Sequence, residues 1–359
     1  MTAVAGTGRS LLSICIPTYN RATCLAHLLE TLLPLKARYA DEIQVCVSDN
    51  ASPDETAQVI ARYAGALDIK LITQASNIGG TLNILEVVSM FDGQWGLLVG
   101  DDDDLNPAGL EALLSYLRTA APETWLMAEA ADLDGNGRYF ADFPDYPLTR
   151  EEGLHLLASK GLDNFGFMGC YVIPSSARAT CERMKLVDAK PWPHIAALLR
   201  RLAEAEMTLL FFPHTVVQQA RAGEQLFWEA GGQALIHLAK LTVISRAYRY
   251  CPRYFGFHIR LMLKEAYAYR SLVSTLLWKL YEPQNFRRLA LREHISVYRQ
   301  TGRFFPLLLP HALLLSTLLL IPGRLYEAMF KVIGKHHLYQ KYRGDKQRLS
   351  AFDANKRGL

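Results

Sequence analysis

Four consecutive aspartates, Asp101 to Asp104 in GDDDDLNP, follow directly on the apolar run QWGLLVG (94–100). Adjacent carboxylates at the end of a buried strand repel one another, and the arrangement loses stability unless a cation neutralises them. Hard divalent ions such as Mg²⁺ or Mn²⁺ take oxygen ligands, and a cation held there can bridge to a diphosphate. The plainer alternative is an acidic, solvated turn, with Asp104 or Asn106 ahead of Pro107 capping the helix AGLEALLSYL. Three further polar clusters, PTYN (17–20), SDNAS (48–52) and SNIGG (76–80), also follow strand-like runs.

The elements that position these clusters are legible as an alternation. LLSICIP (11–17), EIQVCVSDN (42–50), IKLITQ (69–74) and QWGLLVG (94–100) read as strands, and RATCLAHLLETLLPL (21–35), DETAQVIARYAG (54–65) and TLNILEVVSMF (81–91) as helices. Repeated β-α-β units imply a mostly parallel sheet flanked by helices, with ligands gathering at the carboxyl ends of the strands. Between 125 and 220 the pattern is irregular, with strand-like TWLMAEA, MGCYVIP and MTLLFFP and one strong helix, HIAALLRRLAEAE (194–206). This half is expected to complete the sheet and build the site for a second substrate.

The 359 residues hold 17 Lys/Arg against 29 Asp/Glu in positions 1–239 and 22 against 6 in 240–359, a net of −12 followed by +16. A basic, aromatic-rich back suits an anionic membrane or nucleic acid. The six cysteines, at 15, 24, 46, 170, 181 and 251, form no CxxC pair and no metal-ligand spacing, so packed thiols in a reducing compartment are expected. MTAVAGTGRSLLSICIP does not read as a secretory signal.

Four motifs in order across residues 11–110, SICIPTYNR, VSDNASPDET, SNIGG and the acidic run, resemble the nucleotide-sugar-binding half of family 2 glycosyltransferases of the GT-A fold. Within that family the wording is similar to abequosyltransferase-like enzymes of bacterial O-antigen assembly. The resemblance implies that Pro17, Thr18, Tyr19 and Asn20 frame the nucleoside and that Asp49 hydrogen-bonds the base, with Asn50 and Ser52 beside it. Asn77, Gly79 and Gly80 match the turn approaching ribose and diphosphate; an ordinary left-handed turn is the alternative. Family members commonly read Asp-x-Asp-Asp with a proline four residues beyond the last aspartate. Pro107 and Leu110 therefore place Asp102 and Asp103 in the last two positions, as metal ligands for Mn²⁺ or Mg²⁺, with Gly100 where the first aspartate stands. A shifted register would use Asp101 and Asp103.

Inverting transfer requires a base to deprotonate the acceptor hydroxyl. The family's Glu-Asp pair is missing, and at the matching place in KPWPHIAALLRRL stands His194, with Asp188 in reserve; a helix-start histidine with structural hydrogen bonds is the alternative. Arg221, in HTVVQQARAGEQLFW, matches a loop that closes over the diphosphate, against a plain surface arginine. Trp192 and Trp228 are candidates for stacking on sugars, against core tryptophans.

The run FFPLLLPHALLLSTLLLIP (304–322) nears bilayer-spanning length, but its prolines favour a surface-embedded or re-entrant segment over a straight span; a buried helical hairpin is the alternative. The sequence thus predicts a GT-A catalytic domain over 1–228, split into a donor half (11–110) and an acceptor half (111–228), and a basic, helical, membrane-associating region over 229–359. The expected partners are a UDP-, GDP-, CDP- or dTDP-linked sugar, a lipid-linked glycan acceptor and an anionic membrane, not nucleic acid. The expected location is the cytoplasmic face of a bacterial inner membrane, and the work is single-sugar transfer in surface polysaccharide assembly, since the processive signature QxxRW is absent. A catalytically silent nucleotide-sugar-binding scaffold is the alternative; a nucleotidyltransferase lacks support, because PTYNR is not its Gly-rich loop.

Overall fold

The computed structural model describes residues 10–131, 138–185 and 192–219 and, further on, 254–266, 325–332 and isolated positions between 240 and 340. Asp188, Arg221 and Trp228 and most of 304–322 lie outside the described residues. The chain divides into two compact units, 1–156 with 162–222, and 157–161 with 223–359.

The first unit begins as the alternation predicts. Strand β1 (Leu12–Thr18), helix α1 (Ala22–Arg38), β2 (Ile43–Asp49), α2 (Thr56–Leu67), β3 (Ile69–Thr73), α3 (Gly80–Met90) and β4 (Trp95–Leu98) follow in order. All seven residues of β1 are buried, as in a strand covered on both faces. It pairs in parallel with β2 and β4, and β2 pairs in parallel with β3. Parallel pairing turns the carboxyl ends of these strands, and with them the polar clusters, to one edge.

The chain continues with β5 (Asp103–Leu105), α4 (Pro107–Leu117), β6 (Thr124–Ala131), α5 (Arg150–Lys160, of which 157–160 count with the second unit), β7 (Tyr171–Pro174), α6 (Arg178–Lys185), α7 (Pro193–Glu204) and β8 (Thr208–Gln219). The sheet order is β3-β2-β1-β4-β7-β6-β8-β5, with β7 antiparallel to β4 and β6, β8 parallel to β6, and β5 antiparallel to β8. The sheet is thus mixed, with its parallel part at the front. Leu28, Leu29 and Leu32 of α1, Val45 and Val47 of β2, Leu97 of β4 and Leu110 and Leu113 of α4 pack into one core.

Two expectations are corrected here. Asp104 belongs not to the helix start but to β5, and Asn106 alone caps α4, its side chain accepting from the Gly109 amide at 2.9 Å. MTLLFFP is only the beginning of a twelve-residue strand whose far end covers β5.

In the second unit, α8 (Phe255–Ala266) and α9 (Tyr326–Val332) are described, and Lys240 and Glu265, both nearly buried, pair at 3.0 Å. Among the described residues no helix is long and apolar enough to cross a membrane. The cysteines at 15, 24, 46, 170 and 181 are free thiols.

Candidate active site

The loop after β1 is built by hydrogen bonds to its neighbours. Asn20 adopts a left-handed conformation (φ 56°), which asparagine tolerates better than most residues, and its amide donates to Ser52 Oγ at 2.9 Å. Ser52 in turn donates to Asp49 Oδ1 from both its amide, at 3.0 Å, and its hydroxyl, at 2.5 Å. Asp49 is 2% exposed, and among the described residues no protein donor meets its Oδ2. Asn50 donates from its amide to the Thr18 carbonyl, and its side chain bridges to Asn77 Oδ1 at 3.0 Å and accepts from the Ile78 amide at 2.9 Å. Gly79, at φ 85°, holds the residue before α3 in a conformation that a side chain resists, while nothing lies within 4 Å of a Cβ added at Gly79 or Gly80. Tyr19 is 41% exposed at the rim, whereas Pro17 is buried within β1 opposite Ser48. Tyr19, not Pro17, therefore has a surface to offer a nucleoside.

Sequence reasoning missed two residues. Asn83, on the buried side of α3, accepts from Ser48 Oγ at 2.7 Å and donates to the carbonyls of Thr18 and Ser48 at 3.2 and 3.0 Å. It ties the ends of β1 and β2 together, and a polar residue inside the apolar TLNILEVV was its signal. The second is Arg21. Its Nη1 stands 2.9 Å from both Asp101 Oδ1 and Asp102 Oδ2, and a cation one position beyond PTYN was the available hint.

The four aspartates have different surroundings. Asp101 is 3% exposed and accepts from Thr18 Oγ1 at 2.7 Å as well as from Arg21. Asp102 is partly open to solvent, with its side chain 26% exposed. Asp103 is buried in β5 opposite Gln219, and Asp104 points outward to His27 at 3.0 Å. A Cβ added to Gly100 would stand 2.5 Å from Asp103 Oδ2 and 2.9 Å from Asp102 Oδ1. Two carboxylate oxygens therefore converge over the space the glycine leaves, and an aspartate there would have to displace both.

Among the described residues no group of three or more His, Cys, Asp or Glu side chains could hold a metal ion. The convergence of Asp102 and Asp103 nonetheless fits a hard cation held by one or two carboxylates that draws its other oxygens from phosphate and water.

His194 opens α7 but faces the interior. It is 5% exposed, its ring stands edge-on to Tyr171 at 4.8 Å, its Nε2 lies 3.2 Å from the Gly166 carbonyl, and its Nδ1 meets no partner among the described residues. Burial pushes its pKa down to about 4, the Gly166 contact opposing. A base must touch the acceptor hydroxyl, so this placement corrects the expectation for His194: it is a packed, neutral imidazole. Trp192 lies against Gly166, its ring 3.6 Å from where a Cβ would stand.

Burial also pushes the Asp101 carboxyl up to about 6, against the pull of Arg21 and Thr18. The two shifts oppose each other in linkage. Between pH 4 and 6 the native state keeps a proton on Asp101 that the unfolded chain releases near 3.8, and it lacks the proton on His194 that the unfolded chain holds below 6.5. The raised Asp101 pKa adds stability at low pH that is lost as pH rises towards 6; the lowered His194 pKa adds stability at high pH that is lost as pH falls towards 4. In Asp101→Asn, stability is expected to rise with pH across this window by about 1.4 kcal/mol per unit relative to the parent, and in His194→Phe to fall by about as much. Urea unfolding of the metal-free proteins at half-unit intervals checks this; parallel slopes in all three would refute it.

A mixed sheet with a parallel front, polar loops at its carboxyl edge and converging carboxylates after the fourth strand make a domain of GT-A-like fold. Residues 13–146 match the model of Glycosyl transferase family 2. The abequosyltransferase RfbV of Salmonella typhimurium is 34% identical over 113 residues, 31% of this chain and 34% of that protein. The poly(ribitol-phosphate) beta-N-acetylglucosaminyltransferase TarS of Staphylococcus aureus is 28% identical over 106 residues, 29% of this chain and 18% of that protein. The chain thus matches about a third or less of the length of these relatives. Among solved structures, residues 1–349 of S. aureus TarS with UDP-GlcNAc align at TM-score 0.56 and 14% identity, covering 95% of this chain and 91% of that one. The mannosyltransferase PcManGT of Pyrobaculum calidifontis, with GDP-Man and Mn²⁺, aligns at 0.51 and 15%, covering 87% of each. At these identities the structures establish the likeness of fold.

Proposed function

We propose that this chain is an inverting family 2 glycosyltransferase that moves one sugar from a nucleotide-sugar donor to a lipid-linked glycan in bacterial surface polysaccharide assembly. The observation that carries the reading is the convergence of Asp102 Oδ1 and Asp103 Oδ2 over Gly100, at the strand edge that also presents Tyr19 and the Asp49–Ser52 loop. The abequosyltransferase and TarS similarities favour a surface glycan as the product.

In this reading the base meets Asp49 Oδ2, and the nucleoside packs on Tyr19. Asn50 and Asn77 keep the loops in place, and Gly79 and Gly80 leave room for ribose and diphosphate. Asp102 and Asp103 would hold Mn²⁺ or Mg²⁺, which would supply positive charge to offset that developing on a departing diphosphate. With His194 packed inside, Asp188 takes the role of base towards the acceptor hydroxyl, and Arg221 that of a diphosphate contact. The basic C-terminal region, with 22 Lys/Arg among residues 240–359, supports peripheral attachment to an anionic membrane at its cytoplasmic face.

The test is a panel of UDP-, GDP-, CDP- and dTDP-sugars, each measured for binding and slow hydrolysis with Mn²⁺, with Mg²⁺ and with EDTA. At least one donor is expected to bind and to be hydrolysed only with metal. A folded protein that engages none of them would end the proposal.

A further inference from the structure

Arg21 occupies an unusual place. One nitrogen, Nη1, is shared between Asp101 Oδ1 and Asp102 Oδ2 at 2.9 Å each. The two carboxylates it joins are unequal. Asp101 is buried and has a second donor in Thr18 Oγ1, so its charge stays compensated whatever the guanidinium does on its other side. Asp102 is exposed enough to exchange its partner for water or another cation. Arg21 itself precedes α1, and its side chain is 27% exposed.

From this geometry we infer that Arg21 is an internal cation that couples the loading of metal and donor. Resting on the glycosyltransferase reading above, it neutralises Asp102 from the Oδ2 side and so weakens the pull on a cation of Oδ1, the oxygen over Gly100. A nucleoside diphosphate draws the guanidinium, still anchored at Asp101, off Asp102 and onto its phosphate oxygens, for which the fork geometry of arginine is suited. Asp102 then offers its full charge to the divalent ion at Oδ1. Metal alone must compete with Arg21 and binds weakly; metal and nucleotide together bind strongly. Arg21 is thus a positioning residue whose effect is a coupling free energy between two ligands, and such coupling is reciprocal.

The readout is Mn²⁺ binding, followed by the loss of the free-ion electron paramagnetic resonance signal, without nucleotide and with UDP, GDP, CDP or dTDP at saturation. In the parent protein the preferred nucleotide is expected to tighten Mn²⁺ binding by about 10-fold or more. In Arg21→Gln, Mn²⁺ alone is expected to bind several-fold more tightly than in the parent, the coupling is expected to shrink to about 3-fold or less, and the nucleotide is expected to bind less tightly at saturating metal. Arg21→Lys keeps the charge without the fork and is expected to fall between the two. Should Arg21→Gln fail to fold, the lysine variant decides: coupling below the parent's supports the inference, and coupling equal to the parent's overturns it. Equal coupling in a folded Arg21→Gln, or weaker binding of Mn²⁺ alone, also overturns it while leaving the glycosyltransferase reading intact. Absence of nucleotide binding in parent and variants alike overturns both.

Discussion

Asp102→Ala is expected to lower sugar transfer by about 10²–10³-fold, the range seen when one preorganised stabiliser of transition-state charge is removed, with the fold preserved. The side chain is 26% exposed and Arg21, its salt-bridge partner among the described residues, keeps Asp101, so removing it leaves Arg21 paired and relieves repulsion among neighbouring carboxylates. Its position over Gly100, with Asp103 Oδ2 converging on the same space, makes it the carboxylate that meets the metal in the proposed reading. Asp104→Ala provides the contrast. Successive side chains of a strand point to opposite faces, and in β5 this turns Asp103 inward and Asp104 outward, where its half-exposed side chain sets a covered Oδ1 3.0 Å from His27. Asp104→Ala is therefore expected to stay within about twofold of the parent, since exposed ion pairs contribute little. Initial rates with the donor identified by the panel, alongside circular dichroism and melting curves, measure both. An Asp102→Ala protein that folds and keeps more than half its activity would remove the metal-facing role.

The front half of the fold was legible because parallel strands covered on both faces leave continuous apolar runs, and because each βα loop must be polar where it meets solvent. LSICIPT and IQVCVSD carry that signature without help from their neighbours. The back half was harder to read for a physical reason. Strand β5 is three residues long and two of them are aspartates, so no periodicity marks it; it exists because β8 runs twelve residues and supplies a partner. Helix α5, REEGLHLLASK, lacks a sharp apolar stripe and went unread for that reason.

For the site, the sequence placed polar residues together at the strand ends but did not show which way each side chain faces. Asp49, Asn50, Ser52 and Asn77 come together as one hydrogen-bonded edge, because polar residues following parallel strands have only one place to go. Burial is a tertiary property, and nothing local distinguishes an imidazole facing solvent from one facing Tyr171 and Gly166. His194 thus looked like a base and is packed, while Arg21, at the end of SICIPTYNR, holds two carboxylates through one nitrogen.

The same loss of legibility applies to glycines, where one substitution has opposite expected effects at two positions. Gly65 lies on the exposed side of α2, and nothing is within 4 Å of a Cβ added to it. Gly65→Ala removes backbone freedom from the unfolded chain and is expected to stabilise by about 0.5–1 kcal/mol. Gly109 lies in the first turn of α4, which packs on β8, and an added Cβ would stand 1.8 Å from the Thr215 carbonyl oxygen and 2.6 Å from its carbon. These are backbone atoms of a strand held by β6, with Thr215 opposite Glu129 where the register shifts, so neither a rotamer change nor a small side-chain movement relieves the clash. Helix α4 would have to lift, breaking the bond from the Asn106 amide to the Val216 carbonyl at 2.9 Å and loosening the β5–β8 pairing that fixes Asp103. Gly109→Ala is expected to cost at least about 3 kcal/mol, the upper range for overpacking, and to weaken Mn²⁺ binding in whatever fraction remains folded. Paired urea titrations of the two alanine variants test this, and a Gly109→Ala protein as stable as the parent would show that α4 is not seated on Thr215.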